Sequence, residues 1–195
     1  MTEIRFGGFG GQGIIRSGII VGRAASIYDN KFATMNQSFG PEARGGACSS
    51  QLVISKDRVL YPYVTRSDIL VALSQEVYEK FEPELKDNGL LLYDSDLVEL
   101  KKTKRVKPYS IRATKFAEEL GNRIIANVVM LGFLTAITKV VSVEAMKKTI
   151  PASVPERFIE LNIKAFEKGY EHGIKQVKKT RKKLTTDNSA TTYKK

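Results

Sequence analysis

The sequence predicts an α/β fold: a Rossmann-like, mostly parallel sheet with helices on both faces, a long C-terminal helix and a disordered basic tail. Two observations predict it. Residues 4–13, Ile-Arg-Phe-Gly-Gly-Phe-Gly-Gly-Gln-Gly, take an apolar strand straight into glycines, and a helical period follows over 14–28. Further on, residues 68–73 and 89–93 are short continuous apolar runs, as expected of strands buried on both faces of a parallel sheet.

The first element is a strand over 3–9. Gly8, Gly10 and Gly13 then match G-x-G-x-x-G, a pattern that lets the chain turn tightly, exposes backbone to a ligand and seats the next helix close to the sheet. That helix, over 12–29, points its unpaired N–H groups at the loop, a setting suited to an anion. Gly18 and Gly22 lie four apart on its inner face, where close packing would offset roughly 1 kcal/mol of lost helix propensity each. A dinucleotide site also needs an acidic residue about 20 positions on, at the end of the second strand. The second strand covers 32–37, and its end reads Asn36-Gln37-Ser38 without a carboxylate. NAD and FAD are therefore not expected.

Residues 38–46, Ser-Phe-Gly-Pro-Glu-Ala-Arg-Gly-Gly, form a second glycine-rich loop leading into a strand over 47–55. Arg44 is suited to a phosphate or carboxylate; it can equally pair with Glu42 inside the turn. A short helix over 75–81, a strand near 106–111 and a helix over 114–120 stopped by Gly121 come next. Residues 122–139 are helical and apolar nearly all round, which marks a buried helix. Asn127 inside it needs a hydrogen-bond partner, and a structural bond is the preferred reading. A helix over 142–149 follows. The last helix begins near Ser153, with Glu156 completing a capping box, and runs to about Lys183. One domain thus spans 1–183, and 184–195 is a polar, basic tail.

Composition narrows the chemistry. The chain is 42% apolar and 27% charged, ordinary for a soluble domain. The longest apolar run, 124–137, is too short for a bilayer, which needs about 20 residues. The opening residues read as a strand and a turn rather than a secretory leader, so the expected location is cytoplasmic. Cys48 and His172 stand alone. An iron–sulfur cluster takes about four cysteines and zinc a Cys/His cluster, so no metal site is expected. Cys48 reads as a small core residue and His172 as a solvated helix residue. From Lys164 onward ten basic residues face three acidic ones, giving +7 of the chain's +11. Such a stretch can meet nucleic acid or an acidic partner, but no aromatic residue lies between Tyr170 and Tyr193 to stack bases, and nucleic acid is not expected.

Three stretches in register resemble a known family. Gly8-Phe9-Gly10-Gly11-Gln12-Gly13, then Phe39-Gly40-Pro41-Glu42-Ala43-Arg44-Gly45-Gly46, then the run from Ala113 through Asn122 to Asn127 and Gly132 closely resemble the gamma subunit of 2-oxoacid:ferredoxin oxidoreductases, over about residues 3–175. The basic tail is not part of the family pattern. The resemblance implies a thiamine-dependent complex that oxidatively decarboxylates a 2-oxoacid, forms an acyl-CoA and passes electrons through iron–sulfur clusters to ferredoxin. Alpha and beta subunits and a ferredoxin-like delta subunit would hold the thiamine diphosphate and the clusters. This chain would have no catalytic residue of its own and would support assembly beside the CoA or cofactor region. The start and length look most like the 2-oxoglutarate type, which makes succinyl-CoA. Pyruvate, branched-chain and indolepyruvate types stay open, as does a stand-alone nucleotide-binding module. Gly8, Gly10, Gly11, Gln12 and Gly13 are expected at an anion or a partner's backbone. Gly40, Pro41, Glu42, Arg44, Gly45 and Gly46 are expected to face partner subunits, with Asn127 nearby. An isolated chain of this kind is expected to expose an apolar docking surface and self-associate.

Overall fold

The computed structural model describes residues 1–39, 46–101 and 104–191, with side chains to Thr180. Strands β1 (Thr2–Phe9), β2 (Phe32–Phe39), β3 (Ala47–Ser55), β4 (Ser67–Ala72), β5 (Leu85–Asp94) and β6 (Lys107–Ile111) form one sheet, in the order β2-β3-β1-β4-β5-β6. β1, β4, β5 and β6 pair in parallel. β3 runs antiparallel to both β1 and β2. The sheet is thus mostly parallel with one reversed strand, and that strand separates β2 from β1.

Six α-helices flank the sheet: α1 (Ile14–Arg23), α2 (Gln75–Phe81), α3 (Ala113–Glu119), α4 (Ala126–Thr138), α5 (Val143–Thr149) and α6 (Ile159–Thr191). Alternation along β1 explains the two layers. Ile4 and Phe6 join the larger core, shared with α1, α4 and α6. Gly7 turns to the other face, where the absence of a side chain leaves room for Val77 of α2. There Leu70, Ala72 and Leu91 pack on Val77, Tyr78 and Phe81.

α4 is buried continuously from Asn127 to Ala136, as its all-round apolar sequence predicts. It lies against α6 backbone to backbone. A Cβ on Gly132 would overlap the Phe166 carbonyl oxygen, and one on Gly169 would overlap that of Val129. Phe133 and Phe166 are fully buried beside this contact, each contributing roughly 1.5–3 kcal/mol by burial. Among the described residues no helix is long and apolar enough to cross a membrane.

Local expectations fail at three places. Ser153 does not cap the last helix: it closes a 3-10 turn, its hydroxyl donating to the Thr149 carbonyl at 2.8 Å. Pro155 holds Val154 extended (φ −132°, ψ 154°), as proline does to its predecessor, so helix cannot start there and α6 begins at Ile159. At its other end α6 runs to Thr191, taking in residues 184–191 that composition assigned to the tail. No glycine or proline interrupts residues 174–191, so no backbone breaker stops the helix at Lys183. Third, His172 is not simply solvated. Its ring packs on Phe116 and Phe133, 5.4 and 5.8 Å between centroids, and burial lowers its pKa.

Candidate functional site

The first glycine-rich loop meets Gly46, the last residue of the second, at the carboxyl end of β1. Because β3 is reversed, its first residue, Ala47, sits opposite Phe9 at the end of β1. The Gly10 N–H donates to the Gly46 carbonyl at 3.0 Å. Gly11 (φ +94°) and Gly13 (φ +71°) hold left-handed backbone, which glycine adopts without steric cost.

Gln12 fastens this turn. Its Oε1 accepts the Phe9 N–H at 2.6 Å, and its Nε2 donates to the Leu73 carbonyl at 2.9 Å, at the end of β4. Both ends of its side chain are thus committed to the fold. A Cβ on Gly8 would overlap that same Oε1. Gly8 and Gln12 build the turn, while Gly10, Gly11 and Gly13 line a cleft beside it.

The cleft holds about 850 Å³. Ile14 and Ile15 of α1, Ile125 and Val128 around the start of α4, and Val154 and Phe158 before α6 form its apolar wall. Phe39 and Gly46, which flank the second glycine loop, also line it. Gly40, Pro41, Glu42, Arg44 and Gly45 lie outside the described residues. Cys48 is at the margin, buried, with its thiol pKa raised by that burial.

Asn127 is buried and donates through Nδ2 to the Gly13 carbonyl at 3.3 Å and to Ser17 Oγ at 3.4 Å. The structural hydrogen bond preferred from sequence is therefore present, and it ties α4 to the start of α1. Asn162, also buried, donates through Nδ2 to the Phe158 carbonyl at 2.8 Å. Among the described residues neither Oδ1 accepts a hydrogen bond, so both asparagines bring an acceptor to the lining.

The sequence reading missed Arg16. It stands exposed in the first turn of α1, lines the cleft, and has no hydrogen-bond or ion-pair partner among the described residues. No side chain caps that helix end, and no acidic residue lies in its first turn. A cation at the positive end of a helix dipole is unfavourable by itself. That conflict was the signal available in the sequence. Asn162 had no such signal, because the first turn of α6 meets the cleft through packing between parts of the chain far apart in sequence.

The cleft therefore offers a helix N-terminus and a guanidinium to an anion, and an apolar wall to the rest of a ligand. It lacks a ribose-binding acid, and β3 displaces β2 from the neighbouring position that a dinucleotide fold uses.

Residues 3–172 match the family model "Pyruvate ferredoxin/flavodoxin oxidoreductase". A 2-oxoglutarate synthase subunit, KorC, from Methanocaldococcus jannaschii is 52% identical over 172 residues, covering 87% of this chain and 92% of the relative. The crystal structure of a keto/oxoacid ferredoxin oxidoreductase gamma subunit from Geobacter sulfurreducens superposes with a TM-score of 0.80 at 44% identity, covering 89% of this chain and 99% of that one. A 2-oxoglutarate:ferredoxin oxidoreductase from Magnetococcus marinus, solved with 2-oxoglutarate, coenzyme A and succinyl-CoA bound, shares the fold at a TM-score of 0.80 and 24% identity, over 88% of this chain and 31% of that chain.

Proposed function

Because the chain belongs to the pyruvate ferredoxin/flavodoxin oxidoreductase family, we propose that it is the gamma subunit of a multi-subunit 2-oxoglutarate:ferredoxin oxidoreductase. The complex converts 2-oxoglutarate, CoA and oxidised ferredoxin to succinyl-CoA, CO2 and reduced ferredoxin. Thiamine diphosphate in partner subunits supplies the decarboxylation chemistry, and iron–sulfur clusters there carry the electrons. This chain's own share is binding and assembly with alpha, beta and ferredoxin-like delta chains.

Arg16 supports the binding role best. An unpaired guanidinium beside the open N-terminus of α1, in a cleft walled by apolar residues, suits a ligand with phosphates at one end and an uncharged arm. CoA has that form. The phosphates would meet Arg16 and the backbone of Gly11 and Gly13, and the pantetheine arm would lie on the isoleucine and valine wall. Glu42 and Arg44 lie outside the described residues and are proposed, from the family motif alone, for contact with the partner subunits.

The test is an anaerobic pull-down of the tagged chain, with the co-purifying chains identified by mass spectrometry and the complex assayed against several 2-oxoacids. Recovery of a thiamine-binding chain and a cysteine-rich ferredoxin-like chain, with 2-oxoglutarate the preferred substrate, is the expected result. A chain recovered alone and monodisperse would overturn the subunit reading. A complex preferring pyruvate or a branched-chain acid would overturn the substrate.

A further inference from the structure

The two edges of the sheet are built differently. β6 is five residues long and carries Lys107 and Pro108, both devices that discourage a further strand from pairing. β2 is eight residues long and reads Phe-Ala-Thr-Met-Asn-Gln-Ser-Phe, without a charge, a proline or a glycine. No described strand pairs with its outer side. Its two ends are exposed phenylalanines, Phe32 and Phe39.

The connection from β3 to β4 enlarges this surface. Its backbone is pinned to the sheet at three points. Asn36 Nδ2 donates to the Pro62 carbonyl at 3.0 Å, the Val64 N–H donates to Gln51 Oε1 at 3.0 Å, and Arg5 donates to the Val64 carbonyl at 2.9 Å. Arg5 is itself buried on the sheet, paired with Glu84 at 2.7 Å and stacked over the Phe81 ring. Yet the pinned segment turns Leu60, Tyr61 and Tyr63 to water, at 88, 65 and 57% exposure, with the two tyrosine rings 5.5 Å apart. Together with Phe32 and Phe39 these are five of the eleven large apolar side chains that the described residues leave exposed. Ordered, exposed aromatics of this kind are the usual anchors of an interface.

Charge selects the occupant. Exposed Lys56 and Arg58 stand at one end of the segment beside a single acid, Asp57, and Arg66 at the other end is paired with Asp87 at 3.8 Å. A second copy packed edge to edge would set its own Lys56 and Arg58 near the same pair on this rim. A partner with an acidic rim would be attracted to it.

We propose that β2 and the Leu60–Tyr63 segment are the docking surface for another subunit of the complex, one that adds an uncharged strand to the β2 edge and closes over the tyrosines with acidic residues. This rests on the gamma-subunit reading and deepens it. Strand addition supplies backbone hydrogen bonds along β2, and the tyrosines supply buried area.

Amide hydrogen exchange of the free chain against the assembled complex tests it. β2 amides and residues 60–64 are expected to slow on assembly. Tyr61→Asp with Tyr63→Asp, checked for an unchanged melting temperature alone, is expected to raise the Kd for assembly about 30-fold or more. Arg58→Glu is expected to weaken assembly and flatten its salt dependence. The proposal is overturned if β2 exchanges equally in both states while the complex still turns over 2-oxoglutarate, an outcome that leaves the subunit reading standing. It is also overturned if β2 is protected only in a concentration-dependent dimer of the chain. A wild-type chain that joins no thiamine-binding partner sinks the subunit reading and the docking surface together.

Discussion

Asn127 fills the space that a side chain on Gly13 would need. The two residues are 114 positions apart, yet Asn127 Nδ2 bonds the Gly13 carbonyl at 3.3 Å, and a Cβ on Gly13 would come within 2.5 Å of that nitrogen. Gly13→Ala therefore meets both this contact and the left-handed backbone, and is expected to cost on the order of 3 kcal/mol. Asn127→Ala alone should cost about 1–3 kcal/mol. In a double-mutant cycle by urea denaturation the pair should cost less than the sum, by about 1 kcal/mol or more. Simple additivity would show that the two positions are not coupled.

Glycines at helix contacts should divide sharply. Gly169→Ala places a methyl on the Val129 backbone, which cannot give way, and should cost more than about 3 kcal/mol or prevent folding. Gly22→Ala meets only the Leu52 Cδ1 at 3.2 Å, the end of a movable side chain. Its helix propensity gain of up to about 1 kcal/mol should leave that variant as stable as the parent or more so. Thermal melts of the two variants give the comparison. Gly18, whose Cβ would overlap Ser50 Oγ, should behave like a milder Gly169.

Asp29 joins the end of the first helical segment to α5. Its carboxylate accepts the Ser142 hydroxyl at 2.6 Å and the Ser142 N–H at 2.7 Å, and Ser142 caps α5. Burial pushes the Asp29 pKa up, but the Ser142 hydrogen bonds and Lys31 outweigh it, and the net shift is downward. A depressed carboxylate stabilises the fold fully above its unfolded pKa of about 3.9, and the gain is lost as pH falls through the lower folded value. Asp29→Asn should therefore cost about 1.5–3 kcal/mol at pH 7. Below about pH 3 its stability should converge on the parent's. Denaturation midpoints measured across this range decide the matter, and a pH-independent gap would contradict the assignment.

Two arginines should separate binding from assembly. Arg16→Ala in the assembled complex is expected to raise the KM for CoA about tenfold, the loss of one charge-assisted hydrogen bond, with little change in 2-oxoglutarate KM. Arg44→Ala is expected to lower activity of the complex more than it lowers assembly. Steady-state kinetics beside gel filtration separate the two effects. An unchanged CoA KM and turnover in either variant would remove that residue from the site.

Much of the site was legible because it is local. The strand, glycines and helix of residues 2–23 are contiguous, so the turn could be read from their order. α4 was legible because apolar residues on every side leave no surface for water. The placement of β3 was not, since a period-two pattern shows that a strand exists but not which strands flank it. His172 was misread because the rings that cover it, Phe116 and Phe133, come from two other helices. Ser153 was misread because a four-residue capping signal was weighed without the proline inside it. Arg16 was overlooked because a basic residue in a helix passes for a solvated one until its position relative to the dipole is considered.

The reversed β3 also insulates the sheet from evolution at the site. β2 and β3 pair antiparallel from Phe32 and Ser55 to Phe39 and Cys48, with seven residues of sequence between Phe39 and Ala47, so no crossover to a parallel neighbour is needed. Lengthening a connection costs only about 0.6 kcal/mol per doubling of length, and eight paired positions along β2 and β3 help hold their register. The junction between β2 and β3 is thus where relatives can differ in length without any strand changing its neighbour.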